Sequence, residues 1–117
     1  MRAEVKAFHS PDLDWGREYP DDPQNFGVLL QVFVGPKGLP GSESFNIIVC
    51  SPAFLQVQVK ELGIIDGRHH LILSEFDPVK IESYIRRRVS SLEGEDWESL
   101  AGKVGRLGRW EYEDYEE

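Results

Sequence analysis

Alternation of apolar and polar residues predicts two β-strands in the first third of the chain. Between residues 2 and 9, small apolar side chains alternate with charged ones, the period of two that is typical of a half-buried strand. Residues 26–34 carry an apolar side chain at every second position, and Leu29 and Phe33 add apolar side chains to the opposite face. Because both faces of this segment need cover, the pattern predicts a strand in the centre of a sheet.

Turn-forming residues separate this strand from the next one. Residues 35–41 contain three glycines and two prolines, and residues 45–50 are again mostly apolar. Together with residues 26–34 they predict a β-hairpin with a long tip. Residues 68–74, after a turn at Asp66-Gly67, predict a fourth strand.

Three segments carry the start signals or the apolar spacing of helices. Ser51-Pro52 and Asp77-Pro78 each place a capping side chain before a proline, whose missing N–H costs nothing in the first helical turn. We predict that the first helix ends at Gly63, that the second ends at Gly94, and that Asp96 caps a third. The apolar residues at helical spacing are Leu55, Val59 and Leu62; Ile81, Ile85, Val89 and Leu92; and Trp97, Leu100, Val104 and Leu107.

The order of these elements predicts an α+β fold, with a mainly antiparallel four-stranded sheet and about three helices packed on one face. A length of 117 residues corresponds to one domain, so we expect a single domain over residues 1–117. Two segments fall outside the regular elements. Residues 10–25 form a long loop rich in proline and acidic residues, and residues 109–117 form an acidic tail with three aromatic residues.

The net charge of −8 comes from 13 basic and 21 acidic residues and argues against a nucleic-acid ligand, because the phosphates would be repelled. The acidity is concentrated in the loop of residues 10–25 and in the tail, where residues 111–117 contain five acidic residues and no basic one. Segments of this kind favour a basic protein as partner.

A single cysteine, Cys50, excludes an internal disulfide and is typical of a reducing compartment. The first six residues lack the apolar segment of a signal peptide, and no apolar run approaches the roughly 20 residues that a membrane helix needs. These features predict a cytoplasmic protein without membrane contact.

Aromatic residues within the two acidic segments indicate a protein-binding site, because interfaces favour tryptophan and tyrosine as anchors while charges steer the encounter. An alternative is that Trp15 and Trp110 cover the second face of the sheet near Leu29 and Phe33, with the acidic residues facing water. The candidate contact residues are Asp12, Asp14, Trp15, Glu18, Asp21, Asp22, Glu111, Tyr112, Glu113, Asp114 and Tyr115.

Patterns that indicate catalysis or metal binding are weak. Cys50 precedes a predicted helix whose dipole could lower the thiol pKa, but no motif surrounds it and a buried core cysteine is favoured. His69 and His70 are adjacent on a predicted strand, so their side chains point to opposite faces and do not easily share a metal. Residues 86–88, three arginines, are interpreted as a solvated helix face. We therefore predict no catalytic residue, no metal and no cofactor.

Eight short runs of residues form a series that spans nearly the whole chain. They are Ala3-Glu4-Val5-Lys6, His9-Ser10-Pro11-Asp12-Leu13, Pro23-Gln24-Asn25-Phe26, Gly35-Pro36-Lys37-Gly38, Glu43-Ser44-Phe45, Cys50-Ser51-Pro52, Gly67-Arg68-His69-His70-Leu71-Ile72 and Gly108-Arg109-Trp110-Glu111-Tyr112-Glu113-Asp114-Tyr115. In their order and spacing these runs resemble the Immunity protein 8 family, a family of small bacterial proteins associated with polymorphic toxin systems.

The resemblance implies function by binding: a cytoplasmic immunity protein that blocks the active domain of a cognate toxin and has no catalytic residues. The acidic composition fits an inhibitor of a basic toxin, and nuclease toxins are often basic because they hold phosphates. Two alternatives stay open, a small scaffold or adaptor domain with no toxin partner and an enzyme that depends on Cys50. The sequence predicts neither the identity of the toxin nor the oligomeric state.

Overall fold

A computed structural model of the chain describes residues 1–113 and contains five strands and three helices. In chain order these are β1 (Ala3–His9), β2 (Gly27–Pro36), β3 (Glu43–Cys50), α1 (Pro52–Leu62), β4 (His70–Ile72), α2 (Pro78–Ser90), α3 (Trp97–Val104) and β5 (Arg109–Trp110). The predicted α+β fold is confirmed. The fifth strand was not predicted, because its two residues belong to the segment interpreted as a tail.

The sheet is mainly antiparallel and is built around β2 and β3. β2 pairs antiparallel with β1 on one side and with β3 on the other, which confirms the prediction that it is a central strand. Two strands share the outer edge of β3. β4 runs parallel to its last three residues, and β5 runs antiparallel to Phe45 and Asn46. The parallel pairing follows from α1, since a helical crossover joins β3 to β4.

Strand alternation gives the sheet two different faces. On the core face, the side chains of Val28, Leu30, Val32 and Val34 pack with those of α2 and α3 in one hydrophobic core. The opposite face is called here the open face. Its half-buried residues are Leu29, Gln31 and Phe33 of β2 and their partners across the sheet, Ile48, Asn46 and Ser44 of β3.

The predicted helix starts are confirmed, because Ser51, Asp77 and Asp96 each cap a helix by accepting a hydrogen bond from a backbone N–H of its first turn. Gly63 ends α1 at a φ of 80°, a conformation that glycine adopts without strain. Ser51 has a second contact: its Oγ also accepts a hydrogen bond from the Phe26 N–H at 3.1 Å, which joins the start of α1 to β2.

The prediction that the second helix ends at Gly94 is wrong, since α2 ends at Ser90. Beyond it the chain turns back toward β1. There the Gly94 N–H donates to the Met1 carbonyl at 3.1 Å, and Glu93 forms an ion pair with Arg2. These contacts hold the segment outside the helix.

Helix α1 differs from α2 and α3, because none of its residues is buried. Its Phe54 ring occupies the space above Gly27, where an added Cβ would lie 2.3 Å from the ring. Gly27 alternates with the core-face residues of β2, so α1 lies at one end of the open face. The expectation that about three helices pack on one face therefore holds for α2 and α3 but not for α1, because Phe54 holds α1 on the other side of the sheet. Within residues 1–113, no helix has the length and hydropathy needed to cross a membrane.

Candidate protein-binding surface

Asp12 lies in the acidic loop and is bound to the edge of β2. Its carboxylate Oδ2 accepts a hydrogen bond from the Leu29 N–H at 2.8 Å. Gln31 is the first residue of β2 that pairs with β1, so Asp12 takes the place of a strand partner just before that pairing begins. The loop is anchored further by Ser10, which is buried and whose Oγ accepts from the Asp12 N–H at 3.1 Å. Asp12 therefore holds the acidic loop against the sheet.

The other acidic candidates of this loop face solvent. Glu18 Oε1 accepts a hydrogen bond from the Asp14 N–H at 3.0 Å, and Asp22 Oδ1 accepts from the Gln24 N–H at 2.9 Å. Asp14, Glu18, Asp21 and Asp22 are all exposed. These short-range bonds shape turns and leave the carboxylates accessible to a partner.

Trp15 packs against the hydrophobic core. Its ring stacks on Phe8 and meets Phe76 edge-on, with centroid distances of 6.4 and 5.7 Å. Its Nε1–H donates to Glu82 Oε2 of α2 at 3.2 Å. The ring is half-buried against the hydrophobic core, so much of its surface is already used by the fold.

The beginning of the acidic tail is paired with β3. Glu111 Oε1 accepts from the Ser44 N–H at 2.8 Å, and the Glu111 N–H donates to the Ser44 carbonyl. Glu113 Oε1 accepts a hydrogen bond from Arg68 at 3.1 Å. Tyr112 is exposed and its ring meets Trp110 edge-on. Asp114 and Tyr115, the remaining candidates of the tail, lie outside the described residues.

The interpretation that Trp15 and Trp110 cover the second face of the sheet is wrong. Trp110 pairs with Phe45 in the β3–β5 register and stacks on its ring, and Phe45 belongs to the core face. The Trp110 Nε1–H donates a hydrogen bond to the Glu43 carboxylate. Both tryptophans pack against the hydrophobic core, because the strand register and the loop path place them on that side.

The two acidic segments lie at different edges of the sheet. Asp12 approaches β2 from the side of β1, whereas Glu111 binds the outer side of β3 at Ser44. Ser44 lies opposite Phe33, which is four residues from Leu29, or about 13 Å along the strand at roughly 3.3 Å per residue. The structure therefore does not gather the acidic candidates into one cluster. It places one group at each of two edges, with the open face between them.

A group of apolar residues that the sequence analysis did not select as candidates is accessible on and beside the open face. Leu62 of α1 is 64% exposed, and Ile72 of β4 is 51% exposed. Ile64, in the connection between these elements, is 83% exposed. Their apolar character is visible in the sequence, but helical and strand patterns predict which residues share a face and not whether another element covers it.

Asn46 lies near the middle of the open face and has a buried acceptor. Its Oδ1 is inaccessible to solvent and has no hydrogen-bond partner among the described residues. An unsatisfied buried acceptor of this kind costs about 1–3 kcal/mol. Its neighbours across the sheet are Gln31 on β2 and Arg109 on β5.

Cys50 is buried, and its burial raises the pKa of the thiol above its usual range, which disfavours the nucleophilic thiolate. Within residues 1–113, no three or more histidine, cysteine, aspartate or glutamate side chains are grouped so that they could hold a metal ion. The three arginines of α2 are exposed, and the Arg86 guanidinium lies over the Phe8 ring, 5.1 Å from its centroid.

Comparison with known proteins identifies the family of this chain. No curated protein and no solved structure matches the chain significantly. The sequence model of the family described as Immunity protein 8 matches residues 3–115, a range that includes every strand and helix of the fold. This match supports an immunity-protein role. The exposed acidic and apolar groups and the buried Cys50 thiol agree with that role. The chain therefore belongs to the Immunity protein 8 family.

Proposed function

We propose that this chain binds a cognate toxin domain of a polymorphic toxin system and neutralises it by stoichiometric occlusion. The observation that carries the proposal is the family match over residues 3–115, because immunity proteins act on toxins by binding them. The buried, protonated Cys50 supports a role without catalysis. The proposed place of action is the cytoplasm.

The acidic groups of the loop and of the tail supply the electrostatic part of this function. The backbone bonds of Asp12 and Glu111 hold both segments in place, which lowers the entropy lost when a partner binds. The proposed steering and contact residues are Asp12, Asp14, Glu18, Asp21, Asp22, Glu111, Glu113 and Asp114, with Trp15, Tyr112 and Tyr115 as proposed anchors. Since Trp15 is half-buried, we expect the greater contribution from Tyr112.

A basic toxin is the partner that this charge distribution favours. A nuclease is one such toxin, because its substrate-binding surface carries cations that hold phosphates, and an acidic inhibitor competes for that surface. A tight complex would bury roughly 1,200–2,000 Å² of total surface.

A binding titration against the toxin domain encoded beside this gene tests the proposal. The expected result is one-to-one binding in the nanomolar range, with toxin activity lost in proportion to the complex formed. Absence of binding at micromolar concentrations, with both proteins shown to be folded, would contradict it. It would favour instead a scaffold or adaptor role on the same fold.

A further inference from the structure

Exposed apolar side chains are concentrated in one part of the described chain. Of the ten large hydrophobic residues that are exposed, five fall between residues 57 and 72: Val57, Val59, Leu62, Ile64 and Ile72. Single exposed hydrophobic residues are normal on a protein surface, but a contiguous group marks an interaction site. Helix α1 carries three of the five and has no buried residue of its own.

The exposed side of α1 continues into the open face of the sheet. Leu62 lies about 80° around the helix axis from Phe54, at about 100° per residue, and the Phe54 ring stands directly above Gly27, so Leu62 lies beside the side of α1 that faces the sheet. Gly27 pairs with Cys50, and Cys50 pairs with Ile72, so all three are on the open face. The next pair on this face is Leu29 with Ile48.

These residues form one surface, which we call the apolar surface. It contains Leu29, Phe33, Ile48, Leu62 and Ile72. It runs from α1 across the end of the sheet to the middle of β2. Its sheet portion is half-buried and its helix portion and β4 portion are exposed, so a partner could reach it without any unfolding.

The charges around this surface indicate which occupant fits. Asp12 lies at the edge beside Leu29, and Glu111 lies at the edge beside Ser44. The charged or titratable groups that the strand register places on the open face itself are His9, His70, Arg109 and Glu4, which pairs with Gly35. Lys6 reaches the same side, since its Nζ binds Glu4 and its Cε would lie 3.2 Å from a Cβ at Gly35. A second copy of a chain with net charge −8 would bring like charge to these acidic edges, whereas a basic partner would be attracted to them.

We propose that the apolar surface is where the toxin docks, and that the toxin contributes an apolar centre bordered by basic side chains. This inference rests on the proposed function and adds the location of the main contact. The acidic loop and tail then act as part of the polar rim, and Leu62 and Ile72 act as exposed apolar contacts. Interfaces of this anatomy obtain most of their affinity from the centre and their association rate from the rim.

The test measures the affinity of the purified toxin domain for Leu62→Glu and Ile72→Glu in the full chain. Each variant is expected to weaken binding by at least about 10-fold, because a carboxylate replaces an apolar contact at the interface. Both positions are exposed, so the free protein is expected to keep its thermal unfolding midpoint. Val79→Glu is the matched control. Val79 is 74% exposed on α2, so this substitution adds the same charge away from the apolar surface. It should change the affinity by less than about 2-fold.

The chemistry of the partner is tested by reversing the sign of the new charge. If the toxin borders this surface with basic groups, Leu62→Lys should weaken binding more than Leu62→Glu does. Equal effects of the two substitutions would overturn the basic partner while leaving the location in place. Hydrogen exchange of the wild-type complex should also show protection in α1 and β4.

The possible failures are distinguishable. If the wild-type chain binds the toxin but Leu62→Glu and Ile72→Glu bind equally well, and α1 and β4 gain no protection, the location is wrong and the proposed function stands. If the wild-type chain does not bind, both fail. A third outcome is that the free wild-type chain is a dimer, that Ile72→Glu dissociates it, and that the wild-type dimer persists when the toxin is bound. In that case a second copy occupies this surface and the inference is overturned.

Discussion

The reactivity of the Cys50 thiol measures whether the end of β3 is folded and shielded from solvent. It lies at the end of β3 on the open-face side, directly across from Gly27, and it has no accessible surface. Burial raises the pKa of this thiol, because the charged thiolate is disfavoured away from water. The thiol is therefore both shielded and protonated at neutral pH.

We predict that native Cys50 reacts with a thiol reagent at least roughly 100-fold more slowly than the same residue in the unfolded chain. The raised pKa also implies that the unfolded chain loses its thiol proton first as pH rises. Stability should thus be unaffected by this group at neutral pH and fall above the ordinary thiol range of about 8.5. Cys50→Ala should remove that alkaline loss. Rapid labelling of the native protein at pH 7 would contradict the prediction and reopen an enzymatic role for Cys50.

At the scale of elements, α1 is attached to the sheet through few contacts. Phe54 packs over Gly27, and Ser51 Oγ accepts hydrogen bonds from the Phe54 N–H and the Phe26 N–H. The remainder of the helix is exposed or half-buried. Since elements with few buried apolar contacts open at low free energy, α1 is expected to exchange its amide hydrogens faster than α2.

A substitution at Gly27 tests this attachment. A Cβ at Gly27 would meet the Phe54 ring at 2.3 Å, so Gly27→Ala should displace the ring and loosen α1. Because Cys50 pairs with Gly27, its labelling rate is expected to rise several-fold, with a loss of about 1–2 kcal/mol in the free energy of unfolding.

Gly102→Ala is the control for this experiment. Gly102 lies in α3, where a Cβ would meet nothing within 4 Å. Alanine is there expected to stabilise the helix by up to about 1 kcal/mol and to leave the labelling rate unchanged or lower. Equal labelling rates in the two variants would show that Phe54 does not hold α1 on the sheet.

Elements with local signals were predictable from the sequence, and elements that depend on distant contacts were not. The starts of α1 and α2 follow from Ser51-Pro52 and Asp77-Pro78, which are signals within a few residues. β5 has only two residues, and its pairing depends on the stacking of Trp110 on Phe45, which is 65 residues away in the chain. No local pattern contains that information.

The candidate surface also contains residues that could be predicted from the sequence and residues that could not. Acidic loops are visible in composition, so the residues that form the proposed rim could be selected from the sequence. Whether Leu62 or Ile72 is covered depends on which face of the sheet receives each helix. The apolar spacing of α1 is the same as that of a buried helix, and only the position of Phe54 over Gly27 shows that the helix stands apart from the core.

At the scale of the whole molecule, the net charge of −8 is expected to govern how fast a basic partner arrives. Raising the ionic strength from about 0.01 to 0.15 M shortens the screening length from roughly 30 to 8 Å. We predict that the association rate constant with the toxin falls by at least about 10-fold over this range, while the dissociation rate changes little.

Stopped-flow mixing at several salt concentrations measures both rates. Asp14→Asn combined with Asp21→Asn, two exposed positions of the acidic loop, should reduce the salt dependence of association and leave the fold intact. An association rate that does not depend on salt would remove the electrostatic part of the proposed function and would leave the apolar contact unaffected.

The division of the β3 edge between two strands has a consequence for biosynthesis. β4 is made soon after β3, but β5 follows only after α2 and α3, so Phe45 and Asn46 lack backbone partners on the outer edge of β3 until residues 109 and 110 have been made. An unpaired edge of this kind is a template on which another nascent chain can add a strand. Protection against aggregation at this edge is therefore complete only after residues 109 and 110 have left the ribosome.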